Sequence, residues 1–189
     1  MPGTGHFEEI LSGEPEEAAP LLLGAHLVSK LADGEVRIRI NEVEAYKGED
    51  DPASHAYRGQ TARNGSMFRK PGTLYVYRSY GIHTCANTSA GPEGIGWGIL
   101  IRGGEVIDGE TVAVRRRGRP TDLASGPGKL CQALGITTML DGTDLLDPTS
   151  VIRLEPGDPP EVIMATPRIG ISKAKDLPWR FVTAAKLSA

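Results

Sequence analysis

Residues 36–46 read Val-Arg-Ile-Arg-Ile-Asn-Glu-Val-Glu-Ala-Tyr, and the rest of the chain is organised around this stretch. Its aliphatic residues alternate with polar ones, which predicts a half-buried β-strand. Residues at i, i+2 and i+4 of a strand share one side, so this spacing places Glu42, Glu44 and Tyr46 on the side of the aliphatic residues. A carboxylate directed towards a core costs free energy unless it is paired or has a chemical task. We therefore expect Glu44 to belong to a functional site.

Local patterns predict further elements along the chain. Acidic residues followed by a leucine stripe predict a helix at residues 14–31. Residues 1–12 should form a loose end, and residues 47–66 a long loop of the kind that often carries function. Ser125 is expected to cap a helix that Gly135 ends. Further strands are expected at residues 73–78, 82–88, 99–101, 151–154, 162–165 and 180–183, and a further helix at residues 105–116.

Size and composition limit the class of protein. With 189 residues, the chain can form one domain with a substantial core, but hardly two. No apolar run approaches the ~18–20 residues that a membrane span requires, and residues 1–14 lack the basic start and apolar middle of a signal peptide. Cys85 and Cys131 are too few for a disulfide framework and do not have metal-ligand spacing with each other. We expect a single domain at residues 1–189 in a reducing cytoplasm, without membrane association.

The charge distribution is compatible with a nucleic-acid partner. The formal net charge of −3 argues against one at first, because DNA binding requires cationic side chains at the phosphates. However, basic residues outnumber acidic ones in residues 56–132, whereas residues 1–55 are strongly acidic. A basic middle segment suits a protein that presents one surface to DNA. The arginines of residues 115–119 could instead be the solvated end of a helix.

Ser79-Tyr80-Gly81 joins two predicted strands by a tight connection, and it places a tyrosine at the tip. Tyr80 could fold back onto the sheet. Alternatively, it could act as a wedge that enters the base stack and occupies the space of an extruded nucleotide. The basic residues beside it could then hold the phosphates on either side.

Several ordered blocks carry a resemblance to a known family. They are Glu-Ala-Tyr at 44–46, His55, Lys-Pro-Gly-Thr-Leu-Tyr-Val-Tyr at 70–77, Tyr80-Gly81, Asn87, Arg102, Ser-Gly-Pro-Gly-Lys-Leu-Cys-Gln-Ala-Leu at 125–134 and Pro-Arg-Ile-Gly-Ile at 167–171. In this order the chain resembles the alkyladenine (3-methyladenine) DNA glycosylase family of base-excision repair, which occurs in vertebrates and many bacteria. The resemblance implies a single α+β domain, with a curved, mainly antiparallel sheet, flanking helices and a protruding β-hairpin.

The resemblance also implies roles for individual residues. Glu44 would activate the attacking water, with Glu42 as the second choice, and Arg102 would orient the water or a phosphate. Asn87 would disfavour the exocyclic amino group of guanine. The expected base pocket consists of Tyr46, His55, Tyr77, Asn87, Leu100 and Ile171. The expected wedge consists of Tyr80 and Ile82. The expected contacts to the DNA backbone come from Arg63, Arg69, Lys70, Arg78 and Lys129.

The implied function is hydrolysis of the N-glycosidic bond of damaged purines that are flipped out of double-stranded DNA, leaving an abasic site. The expected substrates are 3-methyladenine, 7-methylguanine, hypoxanthine and ethenoadenine, in falling order. We expect a monomer that needs neither a metal nor an organic cofactor. It should be monofunctional, because a lyase would need a nucleophilic lysine, and Lys70 and Lys129 have no neighbours in the sequence that favour a neutral amine.

Two alternatives remain at this point. The chain could be a non-catalytic nucleic-acid-binding module of related fold, in which Glu44 would be replaceable by glutamine. It could also be a small glycoside hydrolase that uses Glu42 and Glu44 as paired carboxylates. In that case the tyrosine at the hairpin tip and the basic middle segment would have no role.

Overall fold

A computed structural model describes residues 5–187, which contain eight β-strands and five α-helices. The strands are β1 (His26–Leu31), β2 (Gly34–Tyr46), β3 (Leu74–Ser79), β4 (His83–Ala90), β5 (Trp97–Asp108), β6 (Ile152–Glu155), β7 (Ile163–Thr166) and β8 (Arg180–Thr183). The helices are α1 (Gly5–Leu11), α2 (Pro15–Leu21), α3 (Glu110–Arg117), α4 (Pro127–Leu134) and α5 (Ala184–Leu187). Within residues 5–187, no helix is long and apolar enough to cross a bilayer.

The strands form one curved, antiparallel sheet in the order β3-β4-β5-β2-β1-β6, and β8 pairs with both β2 and β7. β2 is the longest strand, with 13 residues, and it pairs with three neighbours. Helices α2 and α4 pack against one side of the sheet, where they share the main hydrophobic core with the strands. The predicted α+β fold with a mainly antiparallel sheet is therefore confirmed.

A β-bulge in β2 changes which side of the strand faces this core. Ile40 pairs with Gly104 and Glu42 pairs with Gly103, which leaves Asn41 as an extra residue in β2. An extra residue in one strand reverses the alternation of the side chains that follow it. After Asn41, it is Val43 and Ala45 that join the core. The prediction that the two glutamates share the side of the preceding aliphatic residues is wrong, because strict alternation does not continue through a bulge.

The amino-terminal elements also differ from the prediction. The predicted helix at residues 14–31 ends at Leu21, and His26–Leu31 is strand β1, paired with β2 and β6. Gly24 causes the change of direction with a φ of 89°, which favours glycine. The expected loose end at residues 1–12 is wrong for the described part, since α1 buries Phe7 and Leu11. Residues 1–4 lie outside the described residues.

Most of the remaining elements agree with the predictions. The predicted helix at residues 105–116 begins late, because residues 105–108 continue β5 and α3 starts at Glu110. Ser125 is not the cap of α4: Gly126 occupies that position in an extended conformation, and the Ser125 hydroxyl donates to Asp122 instead. Gly135 ends α4, as predicted. Residues 47–66 form the predicted long loop, with short 3-10 turns at Gly48–Asp50 and Gly65–Phe68.

Because the core side of β1 is fully buried, shortening Leu27 to alanine should destabilise the protein. We expect Leu27→Ala to lower the free energy of unfolding by about 2–5 kcal/mol, from lost apolar burial and the cavity left behind. Leu21→Ala is the matched control, since Leu21 is 59% exposed and its loss should cost no more than about 0.5 kcal/mol. Equilibrium unfolding in urea measures both values, and equal losses would contradict the assignment of the core.

Candidate active site

A cavity of about 490 Å³ opens at the side of the sheet opposite the main core, beneath the β3–β4 hairpin. The cavity is lined by residues from the strands, from the loop at residues 47–66 and from the segment before β8. It brings together every residue predicted for the base pocket, namely Tyr46, His55, Tyr77, Asn87, Leu100 and Ile171, together with Arg102. These positions are separated by up to 125 residues in sequence, so the fold alone assembles them.

The sheet arranges part of this site as one row of side chains. Tyr75 pairs with Asn87, Asn87 with Leu100, and Leu100 with Glu44, on four neighbouring strands. Directly paired residues point to the same side of a sheet. The row therefore runs from an aromatic wall at Tyr75 to the carboxylate of Glu44.

Three rings form the aromatic wall. Tyr75 and Tyr77 stack with centroids 5.5 Å apart, and the ring of His55 meets Tyr77 edge-on at 4.3 Å. Nδ1 of His55 lies 3.2 Å from the Tyr75 hydroxyl. Burial, with a smaller contribution from Arg63, lowers the pKa of His55, so its ring is neutral near neutral pH. Tyr75 was not predicted, although its spacing of two residues from Tyr77 on one strand was a sufficient signal.

Glu44 lies fully buried behind residues that line the cavity. Its Oε2 accepts a hydrogen bond from the Tyr46 hydroxyl at 2.7 Å and one from Arg102 Nη1 at 3.4 Å. Its Oε1 accepts from the backbone N–H of Ile169 at 2.8 Å. Tyr46, Arg102 and Ile169 all line the cavity, so Glu44 is held in one orientation directly beneath it.

The hairpin between β3 and β4 projects two apolar side chains into solvent. Tyr80 is 89% exposed and Ile82 is 74% exposed. Tyr80 and Gly81 are the central residues of a turn that the Ile82 N–H closes on the Ser79 carbonyl, and both have positive φ values, 50° and 69°, as in type I′ turns. The alternative that Tyr80 folds back onto the sheet is wrong. Tyr80 also lines the mouth of the cavity.

The predicted DNA-backbone residues divide into two groups. Arg63 and Arg78 line the cavity mouth, where Arg63 Nη2 donates to the Arg78 carbonyl at 3.2 Å. Lys70 and Lys129 form exposed ion pairs with Asp144 and Asp122 and do not line the cavity. The α3 arginines Arg115 and Arg116 both bind Asp33, but only Arg115 is exposed; the Arg116 side chain is 8% exposed, so the alternative of a solvated helix end does not hold for it. Arg69 lies against Gly142, away from the cavity lining.

A sequence model described as Methylpurine-DNA glycosylase (MPG) matches residues 9–187. The chain belongs to this family. The predicted family and the predicted class of enzyme, a DNA glycosylase acting in DNA repair, are therefore confirmed. As a methylpurine-DNA glycosylase, the protein binds DNA. The exposed hairpin and the aromatic cavity beside it are therefore parts of a DNA-binding enzyme.

Similar proteins from three bacteria carry names that agree with the family. A protein of Rhodococcus jostii is 49% identical over 183 residues, covering 93% of this chain and 80% of its own length. A protein of Nocardia farcinica is 50% identical over 185 residues, covering 92% and 84%. A protein of Mycobacterium tuberculosis strain H37Rv is 46% identical over 180 residues, covering 91% and 86%. Each is named "Putative 3-methyladenine DNA glycosylase".

In this methylpurine-DNA glycosylase, Glu42 fixes the guanidinium of Arg102. Oε1 of Glu42 accepts from Arg102 Nε at 3.0 Å and from Arg180 Nε at 2.7 Å. Burial alone would raise the pKa of Glu42, but the hydrogen bonds from Arg180 and Arg102 outweigh it, and the pKa lies below its ordinary value of 4.5. Burial opposes the charge of Arg102, whereas Glu44 and Glu42 favour it and raise its pKa. Glu42 thus holds Arg102 between the two carboxylates.

This network predicts a pH-dependent stability. The folded pKa of Glu42 lies below 4.5, so its stabilisation is complete above that pH and is lost as the pH falls towards the folded value. Glu42→Gln should lower the free energy of unfolding by about 1.5–3 kcal/mol near pH 7, through weaker hydrogen bonds to the two arginines. The deficit should shrink near pH 4, because the Glu42 carboxylate of the unfolded wild-type chain then takes up a proton more readily than that of the folded protein.

Urea unfolding at both pH values measures this effect, and Glu161→Gln is the control because Glu161 is exposed on the surface. The control should differ from the wild type by no more than about 0.5 kcal/mol at either pH. A Glu42→Gln deficit that is the same at both pH values would show that the charge of Glu42 does not contribute.

Proposed function

We propose that this protein removes alkylated purines from double-stranded DNA by flipping the base into the cavity and hydrolysing its N-glycosidic bond with a water activated by Glu44. The observation that carries the proposal is the position of Glu44. It is fully buried, and its three hydrogen-bond donors belong to Tyr46, Arg102 and Ile169, which line the aromatic cavity. Burial of a carboxylate costs considerable free energy, and a catalytic role would explain why the protein retains one here.

The cavity suits a flipped purine. Aromatic walls can stack on a base, which contributes roughly 1–3 kcal/mol per base. A purine methylated at N3 or N7 carries a positive charge and gains a further cation–π interaction with Tyr46 or Tyr77. Asn87 is held by a 3.1 Å hydrogen bond from its Nδ2 to the Tyr75 carbonyl. In this position it can disfavour the exocyclic amino group of guanine.

Hydrolysis would proceed by attack of water on the anomeric carbon of the sugar. The water oxygen bonds to that carbon, its proton passes to Glu44, and the bond to the purine nitrogen breaks, leaving its electron pair on the base. Glu44 also stabilises the positive charge that develops on the sugar, and Arg102 orients the water. A cationic purine departs as a neutral base without further protonation. Hypoxanthine needs a proton, which the neutral His55 does not carry, so we place it after the alkylated purines.

We further propose a monofunctional enzyme. Lys70 and Lys129 do not line the cavity, and the hydrogen bond and charge of Asp144 raise the pKa of Lys70, which favours the protonated, non-nucleophilic amine. Lys173 does line the cavity, where its Nζ lies 5.9 Å from the centroid of the Tyr57 ring, and strand cleavage would implicate this lysine. Tyr80 and Ile82 would fill the space of the flipped nucleotide, with Arg63 and Arg78 at the neighbouring phosphates. We propose that the protein acts as a monomer, in the cytoplasm.

Glu44→Gln should strongly slow base release while DNA binding persists. Loss of the general base should slow single-turnover release of 3-methyladenine from duplex DNA by 10²-fold or more, because general base catalysis typically contributes about 10²–10⁴-fold. Glu49→Gln is the control, since Glu49 is an exposed glutamate of the neighbouring loop and should leave release unchanged.

Affinity for an abasic-site analogue verifies that the Glu44→Gln protein still binds DNA. Release that persists in Glu44→Gln would contradict the role of Glu44. Wild-type protein that binds DNA but releases no base would indicate a non-catalytic nucleic-acid-binding module. Strand cleavage without alkali would contradict the monofunctional assignment.

Tyr80→Ala should impair base flipping without affecting the fold. The side chain is 89% exposed, so its removal should change the free energy of unfolding by no more than about 0.5 kcal/mol. We expect single-turnover release to fall at least about ten-fold, since an unfilled gap allows the base to return to the stack, at a few kcal/mol per unstacked step. Met139→Ala is the control, because Met139 is equally exposed but does not line the cavity. Equal release rates in the two variants would exclude the wedge role.

A further inference from the structure

A fully buried ion pair lies next to the cavity. Arg168 and Asp51 both have completely inaccessible side chains. They are joined by two hydrogen bonds, Nη1 to Oδ2 at 2.5 Å and Nη2 to Oδ1 at 2.9 Å. Nη1 also donates to the Ala45 carbonyl at 2.9 Å. Buried charges are tolerated only when they are paired and hydrogen-bonded, so each side chain of this pair depends on the other.

The guanidinium of Arg168 stacks on a wall of the cavity. Its central carbon lies 4.7 Å from the centroid of the Tyr46 ring and 5.2 Å from the Trp179 ring. Tyr46 lines the cavity, whereas Arg168 does not. The cation therefore lies on the side of the Tyr46 ring that faces away from the cavity.

A base that stacks on the cavity side of Tyr46 would feel this cation through the ring. With about 3.5 Å between stacked planes, a base would lie on the order of 8 Å from the guanidinium. At that distance in a protein, two unit charges still interact strongly enough to change an equilibrium by at least ten-fold. An unpaired Arg168 would therefore repel a cationic purine and leave a neutral purine unaffected. The negative charge of Asp51, which is bound directly to the guanidinium, offsets this repulsion.

We propose that the Arg168–Asp51 pair determines how strongly the cavity favours cationic over neutral purines. The neutralised guanidinium supports the Tyr46 ring from behind, while Asp51 allows a positively charged alkylpurine to stack in front. Arg168 and Asp51 would thus be specificity-determining residues that act through Tyr46, without touching the base. This inference rests on the proposed function, and it specifies that the charge of the purine determines how strongly the cavity binds it.

The test compares the affinities of duplexes that carry a single 7-methylguanine or a single hypoxanthine, each relative to undamaged duplex. All proteins carry Glu44→Gln, so that binding is measured without turnover. The variants are Asp51→Asn, Arg168→Gln and the double variant. Near-ultraviolet circular dichroism and affinity for undamaged duplex verify that each variant is folded.

Asp51→Asn leaves the cation unpaired and should lower the preference for 7-methylguanine over hypoxanthine about ten-fold. Arg168→Gln should raise this preference by about three-fold, because the carboxylate of Asp51 then acts alone and attracts a cationic base. Its carboxylate keeps hydrogen bonds from the backbone N–H groups of Lys47 and Ala53, which stabilise a negative charge there. The double variant removes both charges and should return to within about two-fold of the starting preference.

Opposite changes in the two single variants cannot result from a general loss of packing, which would weaken binding of both bases. Either single variant tests the inference if the other does not fold. Changes in the same direction, or of less than two-fold, would overturn the inference and leave the proposed function intact. If the protein with an intact Arg168–Asp51 pair does not distinguish damaged from undamaged duplex, the proposed function fails and this inference with it.

Discussion

The burial of Glu44 is the constraint on which the rest of the site depends. A carboxylate with no accessible surface requires hydrogen-bond donors. This protein supplies them from three segments that are distant from one another in sequence. Tyr46, Arg102 and Ile169 each donate a hydrogen bond to Glu44, and all three residues also line the cavity. The residues that satisfy the carboxylate are therefore also residues of the cavity.

The bulge at Asn41 makes this arrangement possible within an ordinary sheet. Without an extra residue in β2, strict alternation would direct Glu44 into the main core and Val43 and Ala45 towards the cavity. With the extra residue, one strand contributes aliphatic side chains to the core along its whole length and carboxylates to the opposite side at its end. The buried ion pair of Arg168 and Asp51 then fastens the loop after β2 to the segment that carries the Ile169 N–H.

Sequence patterns predicted the elements whose signals are local. The alternation in β2 and the hairpin around Tyr80 and Gly81 are encoded by neighbouring residues, and both are present. The helix predicted at residues 14–31 failed after Leu21 because residues 26–31 gain strand partners on both sides, which local helix propensity does not include. The Ser125 cap failed because α4 begins one residue later, with Gly126 at the cap position, and the Ser125 oxygen accepts from Lys129 Nζ at 3.1 Å instead.

By itself, the sequence determined the family, the fold class and the predicted residues of the base pocket, although not Tyr75, because ordered blocks of residues carry that information. Only the tertiary structure decided which side of β2 presents Glu44, since a bulge depends on the register of the partner strand β5. It also decided that Arg168 binds Asp51 behind Tyr46, across 117 residues. Whether two buried charges pair depends on the distance between them in the folded protein, and their spacing along the chain does not indicate this distance.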